Sequence, residues 1–459
     1  SGDELDGPKS LTIRNSTIGK ILIESAKPVS QFTIIVMDSS IMQFAIQPDS
    51  TNIDFVRASD VAIIFVNVTF RSEVLSHKIW LREWYFNDNT SLTVTDCTLT
   101  SESTTDANHN IAIQNVTMTG GFTMTINGGT RMKSGPPDDQ SLADGNGANI
   151  VFYERSKLVG PARILIDDVT MIRNHTGGQS FQGSNVYAEL IKVEPDSSGG
   201  GALLQITNSR LKAQKSVQEG TAVSILLRAI DADGLNVTVE NSLLKVEGHN
   251  GHWLYISDSD STVSNTLFQF VDTNMTLEVN SASLSIRGPL DAGSAIILDG
   301  CDTLTTTVIP EWNKYGGIYY NTLFFMNRMN AAQVLVRNTT AVVQDLEGYS
   351  DAQLFTFLPG LQSTTIQNGS FVSFEDSVST HFGTASILLS SALASKLSLV
   401  NDSHFRFLRT NVNVNSNQNQ STFVSILTAD AKWTNTLVET IASEVFVNSS
   451  KVGVRGFDF

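Results

Sequence analysis

The chain has 459 residues, of which 41% are hydrophobic and only 17% charged, with a formal net charge of −16 and a pI near 4.8. The charged fraction falls below the roughly 25% usual for soluble proteins, and 95 Ser and Thr with 34 Asn supply the remaining polarity. An acidic balance argues against nucleic acid or an anionic membrane surface as the main partner, and the longest apolar run, Val61 to Val66, is strand-sized rather than membrane-spanning.

From the N-terminus onward one pattern recurs: apolar-X-apolar-X-(Asn/Asp)-X-X-apolar. It begins at Leu11, Ile13, Asn15, Ile18 and repeats around Asp38, Asn67, Asp96 and Asn115. The middle of the chain carries it at Asp168, Asn208 and Asn241, and later copies centre on Asn338 and Asn401. Weaker forms surround Asn265, Asn368 and Asn435, and a degraded copy lies at Leu298-Asp299-Gly300. The alternation before each Asn or Asp is that of a half-buried strand. The Asn or Asp then turns the chain, because these residues tolerate the left-handed conformation, and a second strand follows.

Strand, one-residue bend and strand, repeated along the chain, describe the coils of a right-handed parallel β-helix solenoid. A third strand per coil is predicted at Ser224–Leu227, Ser386–Leu389 and Ser425–Leu427. About 14 coils at a spacing of about 4.8 Å give one elongated all-β domain over residues 1–459, roughly 65 Å long. A tandem of β-sandwiches would need many hairpin turns such as Asn-Gly between strands, and few are present, as at Asn127-Gly128 and Asn368-Gly369. Stacked bends would let Asn side chains hydrogen-bond along a column. Polar insertions are expected at Ser134 to Asn149, Glu194 to Gly201 and Asn411 to Gln420, the last as an exposed loop. Cys97 follows the Asp96 bend and Cys301 follows Gly300, so they hold the same place six coils apart, about 29 Å. A disulfide needs Cα atoms within about 7 Å, so the two cannot pair within one chain; buried free thiols are expected, with an intermolecular bond as the alternative.

Candidate chemistry is sparse. Asp231-Ala232-Asp233-Gly234-Leu235-Asn236 has the alternating oxygens and glycine of a half calcium loop, which makes Asp231, Asp233 and Asn236 the candidate calcium ligands. It lacks the closing bidentate Glu. Asp138, Asp139 and Asp144, and Asp258 with Asp260, are further acidic clusters that read as solvated turns. His249 and His252 lack a third ligand at metal-site spacing. Asp167-Asp168 and Gly248-His249-Asn250-Gly251-His252 loosely resemble two elements of the polygalacturonase-like β-helix enzymes, but their Asn-Thr-Asp and Arg-Ile-Lys elements are missing. No catalytic residue is therefore assigned. No dinucleotide or phosphate loop and no nucleophile elbow is present.

Twelve Asn-X-Ser/Thr triplets occur, at Asn15, Asn67, Asn89, Asn115, Asn174, Asn236, Asn274, Asn338, Asn368, Asn401, Asn419 and Asn448. They are candidate N-glycosylation sites. The repeat, as in Leu11 to Ile18 and Leu204 to Leu211, resembles that of pectate-lyase-like solenoids. With the sequons and the scarcity of cysteine, the chain is similar to trypanosomatid surface glycoproteins such as the invariant flagellum antigen and the dispersed gene family proteins. That resemblance implies an extracellular, cell-surface or secreted ectodomain, with any membrane anchor outside this chain, serving adhesion to a protein or glycan partner. A long solenoid flank also offers itself to a homodimer. The alternative is a carbohydrate-active enzyme, a polysaccharide hydrolase or lyase on the same scaffold. A lyase needs a basic cluster for an anionic substrate, and a net charge of −16 speaks against one.

Overall fold

Alternation of apolar and polar residues commits each segment to a strand with one buried face, and stacking in parallel buries those faces together. The computed structural model describes residues 9–49, 56–71, 77–87, 89–101, 109–135, 147–175, 184–215, 222–248, 251–257, 261–279, 282–306, 319–345, 350–357, 364–383, 386–391, 398–416, 421–426, 431–449 and 455–458. They form a parallel β-helix. One coil runs Ala222–Arg228, Asp231–Asp233, Asn236–Glu240, Leu243–Gly248, after which Gly251–Ile256 starts the next. A coil thus has four strands where three are legible in sequence. The additional strand is commonly three residues long, too short for alternation to register.

The four sheets are named here by their place around the main bend: pre-bend, post-bend, third and fourth. The pre-bend sheet stacks fourteen strands from Lys9–Arg14 to Leu437–Ile441, each in parallel register with the next, in agreement with the expected coil number. Its inward positions stack apolar on apolar, as in Ile34, Ile63, Leu92, Met124 and Ile164, all 3% exposed or less. Aromatic stacks extend this order, as with Phe374 on Phe407 at 5.3 Å.

The bend between pre-bend and post-bend strands is left-handed at Asn15, Asp38, Asn67, Asp96, Asp168, Asn208, Asn241, Asp272, Asn338 and Asp376, with φ between 46° and 54°. Gly128, Gly300, Arg409 and Ala442 complete the column. Five residues assigned to this bend by their sequence pattern turn other corners. Asn115 joins Ile111–Gln114 of the third sheet to Thr117–Met118 of the fourth. Asn265, Asn368 and Asn435 lead from the fourth sheet back to the pre-bend sheet, where Asp402 rather than Asn401 takes the left-handed conformation. Strand–Asn–strand is a generic corner, so the pattern cannot say which corner it turns. With corners sorted by register, steps in the main column run from 23 residues (Asn15 to Asp38) to 40 (Asp168 to Asn208).

Val68 and Val169 follow two of the bends, and just after most of the others stands a small polar side chain. Its oxygen or sulfur accepts the backbone N–H of the preceding coil: Cys97 Sγ from Val68 at 3.4 Å, Thr130 Oγ1 from Cys97 at 3.1 Å, Ser209 Oγ from Val169 at 3.1 Å. The column satisfies N–H groups that the bend removes from the sheet ladders. Cys97 and Cys301 both occupy it as buried free thiols, as expected from sequence. Burial pushes both thiols up to about 11. A second polar stack lies fully inside. Asn110 Nδ2 donates to Asn149 Oδ1 at 2.7 Å, and Asn149 Nδ2 to Asn185 Oδ1 at 2.8 Å. The expected loop at Asn411 to Gln420 proves in part to be a strand: Asn411–Ser416 pairs with Val378–Gly383, burying Val412 and Val414. The asparagines there alternate with inward valines, so low complexity disguised a period of two.

Candidate functional site

The residue before each bend points outward, and the register aligns these residues in one row along the pre-bend sheet. In the fifth to eighth coils that row reads Asn127, Asp167, Thr207, Glu240. Together with Thr125, Leu165, Gln205, Asn208 and Asn241 they line a groove of about 410 Å³. It is open, shallow and built on sheet, so its floor is held by ladder hydrogen bonds on both sides. Its lining contains amides, hydroxyls and two carboxylates but no cation.

Side chains are cross-linked from coil to coil. Thr207 Oγ1 and Asn208 Nδ2 both donate to Asp167 Oδ1, at 2.7 and 2.8 Å. Thr95 Oγ1 donates to Asn127 Oδ1 at 2.7 Å, which fixes the near end of the row. Two donors on one oxygen hold Asp167 as a positioned acceptor. Among the described residues Glu240 has no side-chain hydrogen bond or ion pair, so its carboxylate faces the groove as a free acceptor. Asp167 and Glu240 stand two coils apart, about 10 Å at the coil spacing, with Thr207 between them. The arrangement suits an extended, hydroxyl-rich ligand.

Of the sequence candidates, Asp167 alone enters the groove. Asp168 turns the bend at φ 53°. The calcium candidates lie outside it. Asp231 and Asp233 flank buried Ala232 on one short strand, with Asn236 opening the next strand after Gly234. Asp231 Oδ1 accepts from Thr262 Oγ1 at 2.6 Å, and Asp233 Oδ1 from Asn265 Nδ2 at 2.8 Å. Both carboxylates thus serve coil-to-coil bonds of the kind seen at Asn67 Nδ2 to Asp38 Oδ1. Among the described residues no three His, Cys, Asp or Glu side chains are grouped to hold a metal. His252 is buried against the Tyr255 ring at 4.3 Å. His249, Asp138, Asp139, Asp144, Asp258 and Asp260 lie outside the described residues.

Among the sequons, Asn15, Asn67, Asn89, Asn274, Asn338 and Asn368 are exposed, while Asn115, Asn174, Asn236 and Asn401 are half-buried. Asn419 lies outside the described residues, as does the side chain of Asn448. Sequence reasoning missed Asn127, Thr207 and Glu240. The signal was available: aligning the copies on their bend residues and reading the position before it brings these residues into one row.

No protein-family model matches the chain, and no curated protein matches its sequence. Among solved structures, a mutant of a PL6-family alginate lyase matches at 9% identity, covering 96% of this chain and 97% of that one. The TM-score of that match is 0.16, too low to carry any argument.

Proposed function

We propose that this chain is a non-catalytic binding scaffold, the ectodomain of a surface or secreted glycoprotein that uses the groove of its pre-bend sheet to hold a glycan. One observation carries the reading: Asn127, Asp167, Thr207 and Glu240 form a continuous outward row of acceptors and donors on the sheet, with the bend residue Asn208 beside them. Rigid, prepositioned polar side chains limit the entropy lost on binding. Exposed bend sequons at Asn15, Asn67 and Asn338 support an extracellular setting. Made through a eukaryotic secretory pathway, the chain should shift in mass on treatment with an N-glycan-releasing enzyme. On a panel of neutral polysaccharides it should bind at least one and release no new reducing ends, and Thr207→Ala with Glu240→Gln should remove that binding. Failure to bind any glycan, or binding indifferent to both substitutions, would overturn the groove as the site.

A second reading rests on the carboxylate pair. Inverting glycoside hydrolases place their acid and base about 6.5–9.5 Å apart, close to the two-coil separation of Asp167 and Glu240. Against it, Asp167 Oδ1 is already engaged by Thr207 and Asn208 of the next coil, so that oxygen is committed to a coil-to-coil link. Cleavage of a polysaccharide that disappears in both Asp167→Asn and Glu240→Gln would replace the binding role with hydrolysis.

A further inference from the structure

Across the bend from the groove, in the same coils, the outward face of the post-bend sheet gathers positive charge. Arg131 and Lys133 lie on one strand, and Arg210 and Lys212 on the strand two coils on, with Thr170 and Ile172 between them in register. Lys245 continues the lysine column beyond Lys212. The five cations therefore occupy a flat grid, with its two Arg–Lys rows two coils or about 10 Å apart and Lys245 one coil beyond the second. Carboxylates border the grid without filling it. Lys212 and Lys245 meet Glu247 at 2.9 and 2.6 Å, and Lys245 also approaches Glu278 at 3.3 Å, while Asp96 and Asp168 stand in the bend column on the other side. Arg131 and Arg210 are exposed and make no side-chain hydrogen bond or ion pair among the described residues. By contrast, several other arginines on the solenoid are matched, as Arg337 is to Asp299, Arg228 to Glu189 and Arg409 to Asp376.

We propose that this grid is a second binding surface, one that takes a sulfated or carboxylated polysaccharide laid along the solenoid axis. Two unmatched guanidinium groups in one column, on a protein of net charge −16, are ready donors for anionic groups spaced along a polymer. Guanidinium forks bind planar carboxylate or tetrahedral sulfate through paired hydrogen bonds, whereas Lys212 and Lys245 are engaged by Glu247 and Glu278. The acidic borders confine the positive strip to the width of two side-chain columns. That geometry admits a single thin chain and repels a broad anionic surface.

The test uses the full chain and dextran sulfate as probe, with uncharged dextran of equal length as control. Dextran sulfate should bind and uncharged dextran should not, and affinity should fall steeply as salt shortens the screening length. Arg131→Gln with Arg210→Gln should weaken binding about tenfold or more. Thr207→Ala, a charge-neutral change in the groove on the other sheet, should leave it unchanged, which separates this surface from the proposed groove. Both exposed arginines can be neutralised without disturbing the core, and an unchanged melting temperature verifies this. The proposal is overturned by absence of dextran sulfate binding, by binding indifferent to the arginine pair, or by equally tight binding of single-stranded DNA, which would mark a generic polyanion surface.

Discussion

At the residue scale, the two cysteines show how a side chain can be structural through its acceptor rather than its reactivity. Cys97 holds a place that Ser209 and Thr130 fill in other coils, and its sulfur accepts the N–H of Val68. Cys97→Ser keeps that acceptor and should change stability by less than about 1 kcal/mol. Cys97→Ala leaves a buried N–H unpaired and should cost about 1–3 kcal/mol in denaturant unfolding. With both thiols buried and raised to about 11, a thiol reagent at pH 8 should label neither until the chain is unfolded. Rapid labelling of the native protein would contradict this placement. The position of the thiols was legible in sequence from the repeat alone. Their hydrogen-bonding role was not, since it depends on which coil lies beside them.

At the scale of elements, bends and polar stacks set the register between coils. Gly300 replaces the usual Asn or Asp with φ +66°, and a Cβ there would stand 2.2 Å from Asp272 Oδ1 in the preceding coil. Gly300→Ala should therefore be destabilising by about 1–3 kcal/mol, through both the left-handed backbone and the clash. The Asn110–Asn149–Asn185 stack is the interior counterpart. Asn149 also donates to the Ile172 carbonyl at 3.2 Å, so Asn149→Ala removes several buried bonds together. A loss of about 2–4 kcal/mol is expected, and a variant as stable as the parent would show that the stack contributes little. Asn columns were predicted at the bends. At the bends Asn67 does reach Asp38 of the preceding coil, while the buried Asn110–Asn149–Asn185 stack stands at the third sheet, where no alternation marks it.

For the whole molecule, acid should loosen the solenoid before it affects the carboxylates strongly. Burial, with Lys78 nearby, lowers His77 to about 4, burial lowers His381 to about 3, and burial also lowers His109. An unfolded histidine titrates near 6.5. Between that value and about 4 the unfolded chain takes up protons that the folded chain refuses, so stability must fall as pH drops. The slope is about 1.4 kcal/mol per pH unit for each such histidine once well below 6.5. Melting temperature should therefore decline from pH 7 to pH 4.5, and His381→Gln should flatten the decline. A parent profile flat across that window would show that these imidazoles are not held neutral. At this same scale, net charge misled: −16 is compatible with a local basic grid, because the coil geometry brings Arg131, Lys133, Arg210, Lys212 and Lys245 onto one face.

The sequence by itself determined the solenoid, the approximate coil number and the buried, separated thiols, because those follow from a local period of two interrupted by residues that tolerate a left-handed turn. Only the tertiary structure decided which corner each Asn turns and which outward residues become neighbours. Asn127, Asp167, Thr207 and Glu240 are 33 to 40 residues apart in sequence, yet adjacent in one row. Loop lengths between coils vary, so no fixed sequence spacing connects such residues. Parallel hydrogen-bond register between successive coils does.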